Sequence, residues 1–246
     1  MKTLEQAYLD FNFEKLMTMQ LHGHSNQINA YVECCQRYVG QHKTALIWEG
    51  KNSESVTWSF EQLDDASGKL ANYFKSLGIQ KGDCIAGLLP RTAELLITVL
   101  ATWRIGAVYQ PLFTAFESKA IEHRIEVAQT KLIVTNIEQR AKLNSLKVPH
   151  ILTVSQADTT PLLTSTDADF WSVLADQSAQ CEAVMQSFDD YFLMMFTSGT
   201  TGLAKSVPVP LKAMLAFKGY MTHAVDLREE DSFWNLADPG WAYGLY

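Results

Sequence analysis

The sequence predicts an α/β fold, a parallel sheet flanked by helices, on three observations. Short apolar runs alternate with helical segments of about ten to fifteen residues, the pattern of parallel strands joined by crossovers. Glycines, Gly78 and Gly106, stand where the first two helical runs stop. Late in the chain, an apolar run leads straight into a loop of hydroxyl side chains, glycines and a lysine.

The helix over 57–78 is the best marked. Ser59 is its N-cap, and Gln62, three residues on, completes a capping box. Leu63, Ala66, Leu70, Tyr73, Phe74 and Leu77 recur at helical spacing, and Gly78 ends the run. Lys81-Gly82-Asp83 is a turn, and 84–89 is a buried strand closed by Pro90. A second helix over 92–104 puts Leu95, Leu96, Val99, Leu100 and Trp103 on one face, with Gly106 as its stop. A strand follows over 108–112. The third helix starts at Ser118 and carries Ala120, Ile121, Ile125 and Ala128, and a strand follows over 132–135. Residues 138–146 read as helical, 150–154 as strand and 169–175 as helical. The Thr-, Ser- and Asp-rich stretch 156–169 reads as a surface excursion, and 179–187 is ambiguous. Residues 1–44 form a helical lead-in to a body over 45–246.

Composition bounds the function. The 246 residues are 47% apolar, 19% charged and 11% aromatic, which excludes disordered, collagenous and coiled-coil chains. The charged share is below the ~25% of an average domain, pointing to much internal surface or to a surface that a partner or another segment covers. A net charge of −7, from 20 basic and 27 acidic residues without a basic cluster, argues against nucleic acid and anionic membranes. A small phosphate ligand stays open. Cys34, Cys35, Cys84 and Cys181 form no CxxC pair and no metal-ligand spacing, and neighbouring Cys34 and Cys35 are poorly placed for a disulfide. The longest uncharged apolar stretch, 95–103, is far short of the ~20 residues that span a bilayer. No signal-peptide core opens the chain. The expectation is a cytoplasmic protein with reduced thiols, no metal site and no membrane span.

The chemistry concentrates after Tyr191-Phe192-Leu193-Met194-Met195-Phe196. There Thr197-Ser198-Gly199-Thr200-Thr201-Gly202-Leu203-Ala204-Lys205 supplies four hydroxyls, two glycines and a lysine. Glycines allow close backbone approach, hydroxyls and N–H groups donate, and a lysine brings mobile positive charge. Those are the needs of a polyphosphate. Gly199 to Ser206 nearly fits the Walker form GxxxxGK(S/T), with Ala204 where the second glycine belongs. A Walker loop opens a helix at its lysine, whereas Pro208 and Pro210 oppose a helix there. Val207-Pro208-Val209-Pro210 has an extended pattern. A hydroxyl-rich surface loop without a ligand is the bland alternative.

The stretch 196–205 resembles the signature phosphate loop of the adenylate-forming superfamily, which comprises acyl-CoA synthetases, nonribosomal-peptide adenylation domains and luciferases. Other segments resemble that family in the expected order. Residues 57–63 are similar to its "TYxEL" segment, 78–83 to "GvkkGD" and 101–107 to "AxxRxGA". Pro111-Leu112-Phe113-Thr114-Ala115-Phe116 is similar to "PvFagF", and 237–244 to "ADxGWxxG". Both are features of the acetyl-, propionyl- and medium-chain synthetases.

The resemblance implies the large N-terminal domain of such a synthetase, cut short. It implies an enzyme that joins a carboxylic acid to ATP, releases pyrophosphate and then lets the CoA thiol displace AMP from the acyl-adenylate. ATP, magnesium and CoA are the co-substrates of the complete form. Thr197, Ser198, Gly199, Thr200, Thr201, Gly202 and Lys205 match the loop that holds the β- and γ-phosphates. Trp241, Ala242, Tyr243 and Gly244 match the segment lining the carboxylate pocket, with aromatic core packing as the other reading. Thr114, Ala115 and Arg140 match positions near CoA. The family's Pro-Lys-Gly is Ala204-Lys205-Ser206 here.

Nothing matches the family's later "YGxTE" stretch, its ribose-binding Asp or the catalytic Lys of its C-terminal domain. The expectation is therefore an N-terminal portion that does not complete adenylation alone. Two alternatives stand beside it: a nucleotide- or acyl-binding remnant without catalysis, and a phosphate-loop NTPase with a helix starting at Lys205. His22, His24 and 228–231 read as solvated polar residues, His223 as an exposed helix residue and Asp189-Asp190 as a charged turn.

Overall fold

A computed structural model of the protein describes residues 3–10, 12, 21–155, 167–198, 202–241 and 244. Nine strands and eight α-helices are found among them. Helices α1 (Leu4–Asp10) and α2 (Ala30–Cys34) lead to a hairpin of β1 (Thr44–Glu49) and β2 (Ser55–Ser59). Then α3 (Phe60–Ser76), β3 (Cys84–Leu88), α4 (Ala93–Arg104), β4 (Val108–Pro111), α5 (Ser118–Ala128) and β5 (Leu132–Asn136) alternate. The short α6 (Ile137–Arg140) precedes β6 (His150–Val154), β7 (Asp167–Asp169) and α7 (Phe170–Ala175). The last elements are β8 (Tyr191–Thr197), β9 (Lys205–Pro210) and α8 (Ala213–His223).

Seven strands form one sheet in the order β7-β6-β5-β3-β4-β8-β9. All neighbours pair in parallel except β8 and β9, which are antiparallel. The alternation of strand residues sorts the two faces. Ile85, Tyr109, Leu132, Val134 and Leu193 pack against the side carrying α2, α3 and α4. Ala86, Leu88, Ile133 and Ile151 face Ile121 and Ile125 of α5 and Leu143. Helices thus cover both faces, as a parallel sheet requires. The α/β expectation holds.

The capping box at α3 is closed in both directions. The Gln62 N–H donates to Ser59 Oγ at 3.2 Å, and the Ser59 N–H donates to Gln62 Oε1 at 2.8 Å. The helix begins only after Ser59, however. Thr57 and Trp58 belong to β2, where they pair with Ile47 and Leu46, so the predicted helix start at 57 is corrected to 60. The helix expected over 138–146 shrinks to α6 and a 3-10 turn over Ala141–Leu143. Within the predicted surface excursion, residues 167–169 form β7 instead, paired with β6. Asp-Ala-Asp is a poor strand sequence, and an ion pair holds it: Arg140 Nε and Nη2 donate to the two Asp167 oxygens at 2.8 and 2.9 Å.

Residues from the lead-in enter the main core. Ile28, Ala30, Tyr31 and Cys35 are buried there. The Asn29 side chain caps α2 and donates to the carbonyls of Trp103 at 2.7 Å and Val184 at 2.8 Å. Among the described residues, no helix is long and apolar enough to cross a membrane.

Candidate functional site

In α/β sheets, ligand sites collect at the carboxyl ends of the parallel strands, where loops converge on aligned backbone groups. Five such ends lie side by side here. Pro90 and Arg91 follow β3, Phe113 to Phe116 follow β4, α6 follows β5, Ser155 follows β6 and Ser198 follows β8. Because the chain leaves β3 toward β4 and leaves β5 toward β6, the strand order reverses between β3 and β5. A crevice of about 310 Å³ opens at that reversal, with Trp48, Trp58, Pro90, Thr92, Asn136 and Glu138 among its walls.

Thr197, Ser198, Gly202 and Lys205 lie where β8 ends and β9 begins. Phe192, Leu193 and Met195 bury the root of β8, and the Trp103 indole N–H donates to the Phe192 carbonyl at 3.0 Å, tying the strand to α4. Thr197 pairs with Lys205 and Phe196 with Ser206, a two-stranded antiparallel ladder. Thr197, Ser198, Gly202 and Lys205 are all exposed. Gly202 has φ +88° with open space around its α-carbon, a backbone that favours glycine. Gly199, Thr200 and Thr201 lie outside the described residues.

Lys205 opens a strand, not a helix. This overturns the Walker-type NTPase alternative, whose lysine must begin a helix. Pro208 and Pro210 fit because β9 is the sheet's edge, where a missing N–H breaks no ladder on the open side.

The segment 236–241 is fastened to the residues that follow β3 and β4. Arg91 donates to the carbonyls of Leu236 and of Ala237, the latter at 2.6 Å. Asp238 accepts from the Gly240 N–H at 2.7 Å, and the Trp241 N–H donates to the Asp238 carbonyl at 2.9 Å. A β-carbon on Gly240 would stand 2.3 Å from the Phe113 α-carbon, so only glycine lets the two loops touch. The Trp241 ring packs 5.9 Å from the Phe113 ring and stays 59% exposed, which is not core packing. Gly244 is half-buried beside the Asp238 carbonyl. Ala242 and Tyr243 lie outside the described residues.

The positions matched to a CoA site are Thr114, Ala115 and Arg140. Arg140 commits its guanidinium to Asp167 and to Asn144 Oδ1. The basic group that reaches Thr114 is Lys142, whose Nζ donates to the Thr114 carbonyl at 2.6 Å. Ala115 is exposed beside it. Sequence reasoning missed Lys142, Arg91 and two residues of α5. His123 Nε2 lies 2.8 Å from the Ala204 carbonyl. The Arg124 guanidinium stacks over the Phe116 ring at 4.0 Å and faces the Phe196 ring at 5.7 Å. Burial lowers the Arg124 pKa from its ordinary value. The contacts of His123 with Ala204 and of Arg124 with Phe196 join segments far apart in the chain, so no local pattern signals them.

Known proteins bear directly on this geometry. Residues 35–246 match the family model described as AMP-binding enzyme.

The chain belongs to that family.

Among curated AMP-binding relatives, the acetyl-coenzyme A synthetase of Pseudoalteromonas translucida (strain TAC 125) is 32% identical over 240 residues, covering 88% of this chain and 37% of the relative. That of Bacillus subtilis (strain 168) is 28% identical over 249 residues, covering 99% of this chain and 43% of the relative. The crystal structure of Brucella canis acyl-CoA synthetase matches with a TM-score of 0.94 at 45% identity, covering 100% of this chain and 45% of that one. The AMP-binding fold is therefore that of acyl-CoA synthetases, and the chain spans less than half the length of each of these proteins.

Proposed function

We propose that this chain is the nucleotide-phosphate and acid-binding portion of an AMP-forming acyl-CoA synthetase. The observation that carries the reading is the β8–β9 hairpin. It presents hydroxyl and glycine residues at a strand's carboxyl end and closes on Lys205 in an extended strand. In this reading Thr197, Ser198, Gly199, Thr200, Thr201 and Gly202 donate hydroxyl and backbone hydrogens to the β- and γ-phosphates of ATP. Lys205 adds the charge that steadies the departing pyrophosphate. The carboxylate sits by Trp241, Ala242, Tyr243 and Gly244, so its oxygen can attack the α-phosphorus and form the acyl-adenylate. The CoA thiol then attacks the acyl carbon and AMP leaves.

Magnesium supplies charge neutralisation across the phosphate oxygens. The hydroxyls of Thr197 and Ser198 are hard oxygen donors of the kind that ion accepts. Among the described residues, no group of three or more His, Cys, Asp or Glu offers a separate cation site. CoA enters beside Thr114 and Ala115 in the same proposal. Arg140 reaches its phosphate only by giving up Asp167, whose side chain is fully buried. A cytoplasmic setting belongs to this reading too.

Calorimetric titration of ATP with magnesium tests the hairpin. Lys205→Met is expected to weaken binding by roughly tenfold, the scale of a lost charge-assisted contact. Equal affinity in both proteins would remove the hairpin from the site.

A further inference from the structure

We propose that His123 is a positioning residue for the phosphate hairpin, holding its outgoing flank to α5; the proposal rests on the reading of that hairpin given above. A carbonyl oxygen can only accept, so the 2.8 Å contact requires the hydrogen on His123 Nε2, donated to Ala204. Ala204 directly precedes Lys205. A bond that fixes its carbonyl fixes the peptide from which the lysine departs.

The need for such a bond follows from the loop's other contacts. Leu203 is 63% exposed, and a β-carbon on Gly202 would meet nothing. Among the described residues, His123 supplies the hydrogen bond that reaches 202–204 from outside the hairpin. Neighbouring Arg124 serves the other flank, with its guanidinium facing the Phe196 ring. Two consecutive residues of one helix thereby hold both edges of the loop. The helix can bear this role: Ile121 and Ile125 anchor it to the sheet, and Arg124 Nη1 is held on the Ala120 carbonyl at 2.8 Å. An unanchored hairpin samples more orientations of Lys205, so only a fraction is competent for phosphate at any moment, and affinity falls by that fraction.

Hydrogen–deuterium exchange on the intact protein without nucleotide tests the tether directly. His123→Leu removes the donor, and the amides of 202–206 are expected to exchange roughly fivefold faster, the factor carried by one hydrogen bond. His123→Gln keeps a donor and restores protection. ATP titration of the same three proteins tests the positioning. The Leu variant is expected to bind several-fold more weakly, with Gln recovering most of the loss. Unchanged exchange in the Leu variant overturns the tether. Faster exchange with unchanged ATP affinity overturns the positioning role. A wild-type protein that binds no ATP overturns the phosphate reading instead, while exchange still decides whether His123 orders the loop.

Discussion

Asp190 shows how a single residue prepares the site from a distance. It sits just before β8 and accepts from the Ser187 N–H and Lys81 Nζ, both at 2.7 Å. The lysine contact comes first in holding its carboxyl below the ordinary aspartate value of 3.8, despite partial burial. Its folded pKa is depressed, so its stabilising effect is complete above 3.8 and is lost as pH falls through the lowered folded value. Asp190→Asn keeps the shape and removes the charge. It is expected to cost about 1 kcal/mol at pH 7, with the difference from wild type vanishing once the pH falls below the lowered folded value; urea melts stepped from pH 7 down into acid measure both. Residues of this kind were unevenly legible in the sequence. The Ser59–Gln62 box was readable because both partners sit within one turn, and Lys205 because its loop is contiguous. His123 and Arg91 were not, because the backbone atoms they hold lie about eighty and 145 residues away.

At the scale of elements, β3 to β6 could be read because each is a short apolar run that follows a helical segment, with glycine marking the end of the helices before β3 and β4. Three pieces could not. The β1–β2 hairpin leaves every residue exposed or half-buried, Trp48 and Trp58 among them, so it lies apart from the buried strands of the main sheet. The Asp-Ala-Asp strand β7 exists through its ion pair, not its propensity. The helix expected over 138–146 contained only one short turn of α-helix. The Arg140–Asp167 pair decides between two roles for Arg140. Its side chains are 13% and 0% exposed, so removing the arginine strands a buried carboxylate. Arg140→Met is expected to destabilise the protein by about 3 kcal/mol, read by thermal or urea unfolding. A CoA-contacting Arg140 would instead raise the KM for CoA while leaving unfolding almost unchanged.

For the whole molecule, fold class and the phosphate loop were legible, because sheet alternation and a contiguous loop are local signals. The convergence of the loops after β3, β4 and β8 was not, because strand order is set by long-range pairing. Nor was the sharing of one core by the lead-in and the body. The exposed side chains of Trp234, Leu236 and Trp241 fit the low charged share of the sequence. The proposed reaction is adenylation of a carboxylic acid, and the reverse exchange of pyrophosphate into ATP reports it most directly. Incubated with labelled pyrophosphate, magnesium and a panel of short and medium carboxylates, a protein that carries this chain and spans its relatives' full length should label ATP only when one of the acids is present. Lys205→Met should slow that exchange by at least roughly tenfold. Exchange that ignores the acid, or none with any acid in a protein that still binds ATP, would contradict adenylation and leave a nucleotide-binding remnant in its place.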